Sequence, residues 1–213
     1  MHQLLWFPLE QQTIAHVSTE LDAEPEAPLA HLFDMLADRI GEKGVTPTAT
    51  GNLPRNLCRE ILFEWLGEAG YRERTRFGGI NWEMDAGELH RTRVVGELAG
   101  VIRKYRGRFI LSRAARRMRR ESGMRELYPL LFRTFVGEFN WAYPRATEEA
   151  PFLQQAWLFT AHLLHRYGDA ERPGTFYADA FRQAFPAALD EMTAGPWSEP
   201  ERHFAMLYVI RCL

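Results

Sequence analysis

From His31 onward apolar residues recur at Leu32, Phe33, Leu36 and Ile40, a spacing that lays one apolar stripe along a helix. Gly41 and Gly44 follow and stop it, so the pattern predicts a helix over about 29–40. The stretch Val45-Thr46-Pro47-Thr48-Ala49-Thr50-Gly51-Asn52-Leu53-Pro54 then reads as a turn at Gly51, with Asn52 as helix cap and Pro54 in the first helical turn. Leu57, Ile61, Leu62 and Trp65 share a face of the helix that this opens, predicted to run to about Leu66, with Arg55, Asn56, Arg59 and Glu60 outward or flanking. Two helices joined by a short glycine-containing turn predict a helix-turn-helix-like module over 29–86. Gly67, Gly70, Gly78 and Gly79 interrupt its second half, where Tyr71 to Phe77 reads as a short strand or an irregular loop.

A second pattern begins after Gly87. Glu88 to Leu98 is predicted helical, burying Leu89, Val94 or Val95, and Leu98, with Gly100 as its stop. The run Val101 to Leu111 reads as two short β segments about a turn at Gly107, and Ser112 then caps another helix. In that helix Ala114, Ala115 and Met118 fall on one side with Leu111, while at 100° per residue Arg113, Arg116, Arg117 and Arg120 cluster on the other. Helix, hairpin and helix predict a winged-helix-like module over 87–123. The region 124–213 is helical and apolar. Leu127, Leu130, Leu131, Phe135 and Phe139 predict one helix, with Pro129 tolerable only near its first turn. Leu153, Trp157, Thr160, Leu164 and Tyr167 predict a second. A third opens at Pro173 and buries Phe176, Tyr177, Ala180, Phe181 and Ala184 before Pro186. A last one, from about Glu199, carries Phe204, Leu207, Tyr208 and Ile210 and stops at Leu213 without a cap, as a truncated end would. The fold class read from these patterns is mainly α, with helix-turn-helix and winged-helix-like modules, one short β-hairpin and a helical C-terminal region.

Composition adds an asymmetry that the patterns alone do not show. The chain has 26 Lys and Arg against 28 Asp and Glu. Yet the 35 residues from Arg91 to Arg125 hold twelve bases and only two acids, Glu97 and Glu121, leaving that stretch at +10 and the remainder at −12. A concentration of one sign suits a surface that meets an anion. Residues 1–28, with Glu10, Glu20, Asp22, Glu24 and Glu26 beside Pro25 and Pro28, form an acidic, partly ordered arm without sustained periodicity. The start lacks a charged segment followed by a long apolar one, and no stretch has the roughly 18–20 apolar residues of a membrane span, which together suggest a cytoplasmic protein with no membrane partner. Cys58 and Cys212 stand far apart, so a disulfide framework and a thiolate zinc site are not indicated, and both read as small buried hydrophobes.

Two segments, Thr48-Ala49-Thr50-Gly51-Asn52-Leu53-Pro54-Arg55-Asn56-Leu57 and Leu98-Ala99-Gly100-Val101-Ile102-Arg103 through Leu111-Ser112, carry a resemblance. Over about residues 30–145 the chain resembles the helical extension of some bacterial Ri-plasmid open-reading-frame-three-like proteins and related proteins of plasmids and mobile elements. The resemblance implies a bacterial origin and helix-turn-helix-like modules, and it transfers no catalytic residue. Its second module commonly ends on a Thr with a Gly two or three residues later, whereas here Ser112 takes the cap and Arg116-Arg117 stands in the place of the glycine.

The candidate nucleic-acid-binding residues are Arg103, Lys104, Arg106, Arg108, Arg113, Arg116, Arg117 and Arg120, which can pair with phosphates largely without regard to sequence. The same residues would equally serve as a solvated face paired with the chain's own acids, including the arm at Glu20 to Glu26, and the sequence leaves both open. A protein-interaction or dimerisation module is a separate class, in which Phe132, Phe139, Trp141, Trp157, Phe159, Phe181 and Phe185 would form an apolar patch, although large aromatics are more often core. A metal-dependent enzyme is the least supported. His162 and His165 lie one helical turn apart, with Asp169 or Glu148 as conceivable third ligands, and Asp34 and Asp38 stand at i and i+4 as a conceivable acid and base. No nucleophile elbow or glycine-rich phosphate loop is present in the sequence. The expectation is a non-enzymatic protein that binds nucleic acid or a regulatory partner, with no catalytic residue, metal or cofactor.

Overall fold

The computed structural model describes residues 18–143, 151–189 and 200–212. Among them the chain is mainly helical, with one two-stranded antiparallel hairpin. It divides into two compact units, one spanning Val17–Phe139 and the other containing the described residues from Asn140 onward. The first unit therefore takes in both sequence-predicted modules together with the first helix of the region assigned to 124–213.

In the first unit α1 (Pro28–Ile40) buries Leu32, Phe33, Leu36 and Ile40, the stripe its periodicity predicts. The next helix, α2 (Arg55–Arg74), departs from expectation at both ends. Pro54, rather than Asn52, occupies its N-cap, without a side-chain cap bond. Asn52 instead serves the preceding turn, where its N–H donates to Thr48 Oγ1 at 3.1 Å and its carbonyl accepts from Thr48 N–H at 2.8 Å. At the far end Gly67 kinks the helix with φ 68°, but helical geometry resumes through Arg74, so residues 71–74 are neither strand nor loop. An i, i+4 pair of Glu68 and Arg72 at 2.7 Å supports that last segment. Cys58, Ile61 and Leu62 are its deepest residues, while Leu57 and Trp65 are half-buried.

Helix α3 (Gly87–Leu98) crosses α1 closely because Gly96 has no side chain: a Cβ there would lie 2.9 Å from Ile102 Cδ1 and 3.1 Å from Phe33. Leu89, Thr92, Arg93 and Gly96 form its inner stripe, flanked by His90 and Val95. Leu98, expected inside, is exposed, since nine residues at 100° each turn it to the side opposite Leu89. The hairpin follows, β1 (Ile102–Tyr105) paired with β2 (Arg108–Leu111) in the register Ile102 opposite Leu111 and Tyr105 opposite Arg108. On the other side of β2, Val45 makes a two-bond antiparallel bridge with Phe109. Gly44 permits that approach, with φ 72° and a position where a Cβ would sit 2.7 Å from the Phe109 carbonyl oxygen.

Helix α4 (Arg113–Ser122) starts as expected: Ser112 Oγ accepts from Ala115 N–H at 3.2 Å, and Ser112 N–H donates to the Val101 carbonyl at 2.9 Å, tying the helix start to the root of the hairpin. Its inner stripe is narrower than predicted, since Ala115 is buried, Met118 half-buried and Ala114 exposed. Helix α5 (Met124–Gly137) buries Leu127, Leu131 and Thr134 and carries Pro129 past its first turn. Proline has no N–H to donate to the Arg125 carbonyl four residues back, and that carbonyl accepts from Leu21 N–H at 3.0 Å instead. Glu24 Oε2 accepts from Met124 N–H at 3.0 Å, so two bonds seat residues 21–24 of the acidic arm on the first turn of α5. The rest of the predicted arm, residues 1–17, lies outside the described residues.

The second unit contains α6 (Pro151–Gln155), α7 (Trp157–Tyr167), α8 (Gly174–Ala184) and α9 (Pro200–Cys212). One predicted helix is thus two, broken at Ala156 (φ −94°, ψ 16°). The break rotates the apolar face, so that Thr160 and Leu163 are buried and Leu164, expected inside, is exposed. Helix α8 is narrower in its burial than predicted: Tyr177 and Phe181 are buried, Phe176 and Ala180 half-buried, and Ala184 exposed. Phe181 is central, with ring centroids of Phe185, Tyr208, Phe204 and Phe159 between 4.8 and 5.8 Å away. Thr160 Oγ1 and Tyr208 Oη share a hydrogen bond of 2.8 Å inside this core, which satisfies both buried hydroxyls.

Candidate nucleic-acid interface

A buried charged knot sets the position of the hairpin. Glu83, Arg93 and His90 are almost wholly inaccessible. Glu83 Oε1 accepts from Arg93 Nε at 2.6 Å and lies 2.9 Å from His90 Nδ1, while Glu83 Oε2 accepts from Leu53 N–H at 2.5 Å. Arg93 also donates to Glu97 at 2.7 Å, and its guanidinium lies 5.2 Å from the centre of the Phe109 ring. Glu83 thereby joins the loop before α2 and the loop before α3 to α3, and Arg93 reaches the hairpin at the Phe109 ring. Burial alone would raise the pKa of Glu83, but the bonds from His90, Arg93 and Leu53 outweigh it and hold the group below the usual carboxylate range. Nearby, burial and then the charge of Glu83 push the Cys58 thiol up to about 12, so it is a packed side chain and no nucleophile at neutral pH.

The hairpin so placed and α4 enclose a groove of about 820 Å³, lined by Arg103, Lys104, Tyr105, Ile110, Arg113, Arg116, Met118 and Leu130 among others. By strand alternation Arg103, Tyr105, Arg108 and Ile110 share one sheet face, and Ile102, Lys104, Phe109 and Leu111 the other; of the first set Arg103, Tyr105 and Ile110 line the groove. Arg103 Nε donates weakly to the Gly100 carbonyl at 3.4 Å and has no acidic partner among the described residues. The same holds for Arg113 and Arg116, both exposed.

The other five candidates are placed differently. Lys104 Nζ lies 3.8 Å from Glu97 and 5.1 Å from the centre of the Phe109 ring, so its charge is directed inward although its strand segment borders the groove. Arg108 donates to the Lys43 carbonyl at 3.1 Å, on the bridged side of the hairpin. Arg106 occupies the hairpin tip, its guanidinium 5.3 Å from the centre of the Tyr105 ring. Arg117 and Arg120 both turn to Glu121, at 3.9 and 3.3 Å. The structure thus brings Arg103, Arg113 and Arg116 to one groove and distributes the remainder.

Arg119, absent from the sequence-derived set, is the clearest case of self-pairing. Its Nε and Nη2 each donate at 2.6 Å, to Asp34 and Asp38 of α1. Burial works against its charge, and the two carboxylates more than restore it, raising its pKa. Asp34 and Asp38 are therefore partners of a guanidinium on a neighbouring helix. The i, i+4 spacing of Asp34 and Asp38 puts two acids on one face of α1, but no local signal in the sequence marks Arg119 as their partner. These residues line a second groove of about 480 Å³ that also includes Glu24, Glu42, Arg116 and Arg120. The acidic arm therefore borders the basic region at Glu24, and Glu20 lies 4.0 Å from Arg125.

Helix α3 buries its inner stripe against α1, and its more accessible side carries Glu88, Arg91, Val94, Glu97 and Leu98. His162 and His165 are both exposed, Glu148 lies outside the described residues, and no group of three His, Cys, Asp or Glu gathers among those described. Of the aromatics proposed as a patch, Phe139 and Phe181 are buried and Phe132, Trp141, Trp157, Phe159 and Phe185 are half-buried. The exposed aromatics are others, chiefly Phe77 at 91% and Trp82 at 65%, in the loop before α3. Among the described residues no helix is long and apolar enough to cross a membrane. Comparison of the chain with protein-family models, with curated proteins and with solved structures finds no match to any of the three.

Proposed function

We propose that this chain is a non-enzymatic nucleic-acid-binding or regulatory protein that receives a phosphate backbone in the groove between the hairpin and α4. The observation that carries the reading is the convergence of Arg103, Arg113 and Arg116 on that groove without acidic partners among the described residues, while Arg117, Arg119 and Arg120 of the same helix each have one. Charge left unpaired at a concave site is available to an external anion, whereas charge already paired offers little. The order of elements supports it: α1, the Val45 bridge, α2, α3 and a hairpin whose β2 lies between β1 and Val45 follow the order of a winged helix. In this reading the contact surface is the hairpin with α4, and α3 is scaffold. The resemblance to the helical extension of plasmid and mobile-element proteins agrees with such modules and suggests a bacterial, cytoplasmic setting, in which the buried thiol of Cys58 stays reduced.

A second reading, a protein-interaction module, is favoured by Trp82. Its ring is exposed yet fixed, with Nε1 donating to Asp85 Oδ1 at 2.8 Å while Asp85 Oδ2 accepts from Asn81 N–H at 2.8 Å. A rigid exposed aromatic costs little entropy to dock. Titration of labelled oligonucleotides at two salt concentrations separates the two. Binding that weakens steeply with salt and is lost in an Arg113→Glu/Arg116→Glu variant supports the first reading. Its absence at low salt, with the protein folded, leaves the second.

A further inference from the structure

Resting on the nucleic-acid reading above, we infer that the strand received is single-stranded, with Tyr105 as the platform on which a base stacks. Three observations lead there. Arg103, Arg113 and Arg116, without acidic partners among the described residues, line a concave groove, whereas Arg117 and Arg120 on the same outer side of α4 both turn to Glu121. The groove is not lined by charge alone: Ile110, Met118 and Leu130 give it apolar walls, which suit the flat face of an unpaired base and offer nothing to a duplex backbone. Finally, Tyr105 borders the groove, is 56% exposed and shares its sheet face with Arg103 and Ile110.

The hairpin tip sets a cation against that ring. Arg106 takes a left-handed φ of 47°, a conformation that Asn or Gly adopts with least cost, and among the described residues it is the one non-glycine to do so. In that conformation its guanidinium lies over the Tyr105 ring. Positive φ at both Arg106 and Gly107 is what the two-residue turn of this hairpin requires, and one consequence is a guanidinium set against the Tyr105 ring. A base stacked on Tyr105 would leave its neighbouring phosphates to Arg103, Arg113 and Arg116, the combination of aromatic platform and basic groove that binds single strands with little sequence preference.

The test is fluorescence anisotropy with the full chain and three labelled probes of equal length: a single-stranded oligonucleotide, the same strand made abasic, and a duplex. The single strand should bind more tightly than either of the others. Tyr105→Ala should weaken single-strand binding roughly 5- to 150-fold, with Tyr105→Phe near wild type, and should leave the abasic strand unaffected. Tyr105 is exposed, so circular dichroism should show both variants folded. Duplex bound as tightly as single strand, with Tyr105→Ala unchanged on both, would overturn the single-strand inference and keep the phosphate-binding reading. No oligonucleotide bound by the folded protein would overturn both.

Discussion

Arg93 and Arg119 on one side, and Arg113 and Arg116 on the other, are the same side chain within one basic segment of the sequence, put to opposite uses. Arg93 is buried with two carboxylates and an aromatic ring, and Arg119 clamps two aspartates of α1. Arg113 and Arg116 stand exposed at a groove and make no ion pair among the described residues. The +10 of the segment is therefore no measure of the charge offered to a partner. Part of it locks hairpin and helices together, which is what holds the remainder in place.

Removing a locking arginine should have the largest effect. Arg93→Met strands Glu83 as a buried, half-paired carboxylate and should cost about 3–5 kcal/mol in urea unfolding of the first unit. A loss below about 1 kcal/mol would mean the knot is not structural. Adding Glu83→Gln to that variant should recover part of the loss, since the stranded charge is gone. The pH dependence follows from the same residue. The native pKa of Glu83 is depressed, so its contribution is full above the unfolded glutamate range, about 4.3, and is lost as pH falls below that toward its native value. Stability of Glu83→Gln should therefore fall less than that of wild type across that acid interval.

Gly44→Ala comes next, at about 1–3 kcal/mol, because the new Cβ meets the Phe109 carbonyl in a backbone conformation that alanine resists. Thermal melts should show it. Arg119→Gln should cost less, below about 1 kcal/mol, because both aspartates remain in contact with water. The smallest change in stability, within about 0.5 kcal/mol, is expected for Arg113→Gln with Arg116→Gln, whose effect should fall on binding.

The residues show why part of this was legible beforehand and part was not. Helix α1, the hairpin and the Ser112 cap follow from local periodicity and from side-chain chemistry acting over three or four residues. The errors have two sources, helix geometry counted too loosely and distant groups that decide. Helix α2 outlasts Gly67, and Leu98 and Leu164 lie outside because helix length and a break at Ala156 set their angles. The site shows the same division. That α4 carries outward arginines was readable from 100° per residue. That Arg119 belongs to Asp34 and Asp38, more than 80 residues away in sequence, and that Glu83 gathers Leu53, His90 and Arg93, requires the tertiary fold. Pro129 gives a more subtle case: its missing donor was visible in the sequence, but not that Leu21 would use the carbonyl it frees.

The most direct test of the central claim is the salt dependence of oligonucleotide affinity for wild type, for Arg103→Gln/Arg113→Gln/Arg116→Gln and for Arg117→Gln/Arg120→Gln. If the groove arginines are the phosphate contacts, the triple variant should lower the slope of log affinity against log salt by about 2 on a single strand, with the double variant close to wild type. An unchanged slope in the triple variant, or a loss confined to the double variant, would contradict the account.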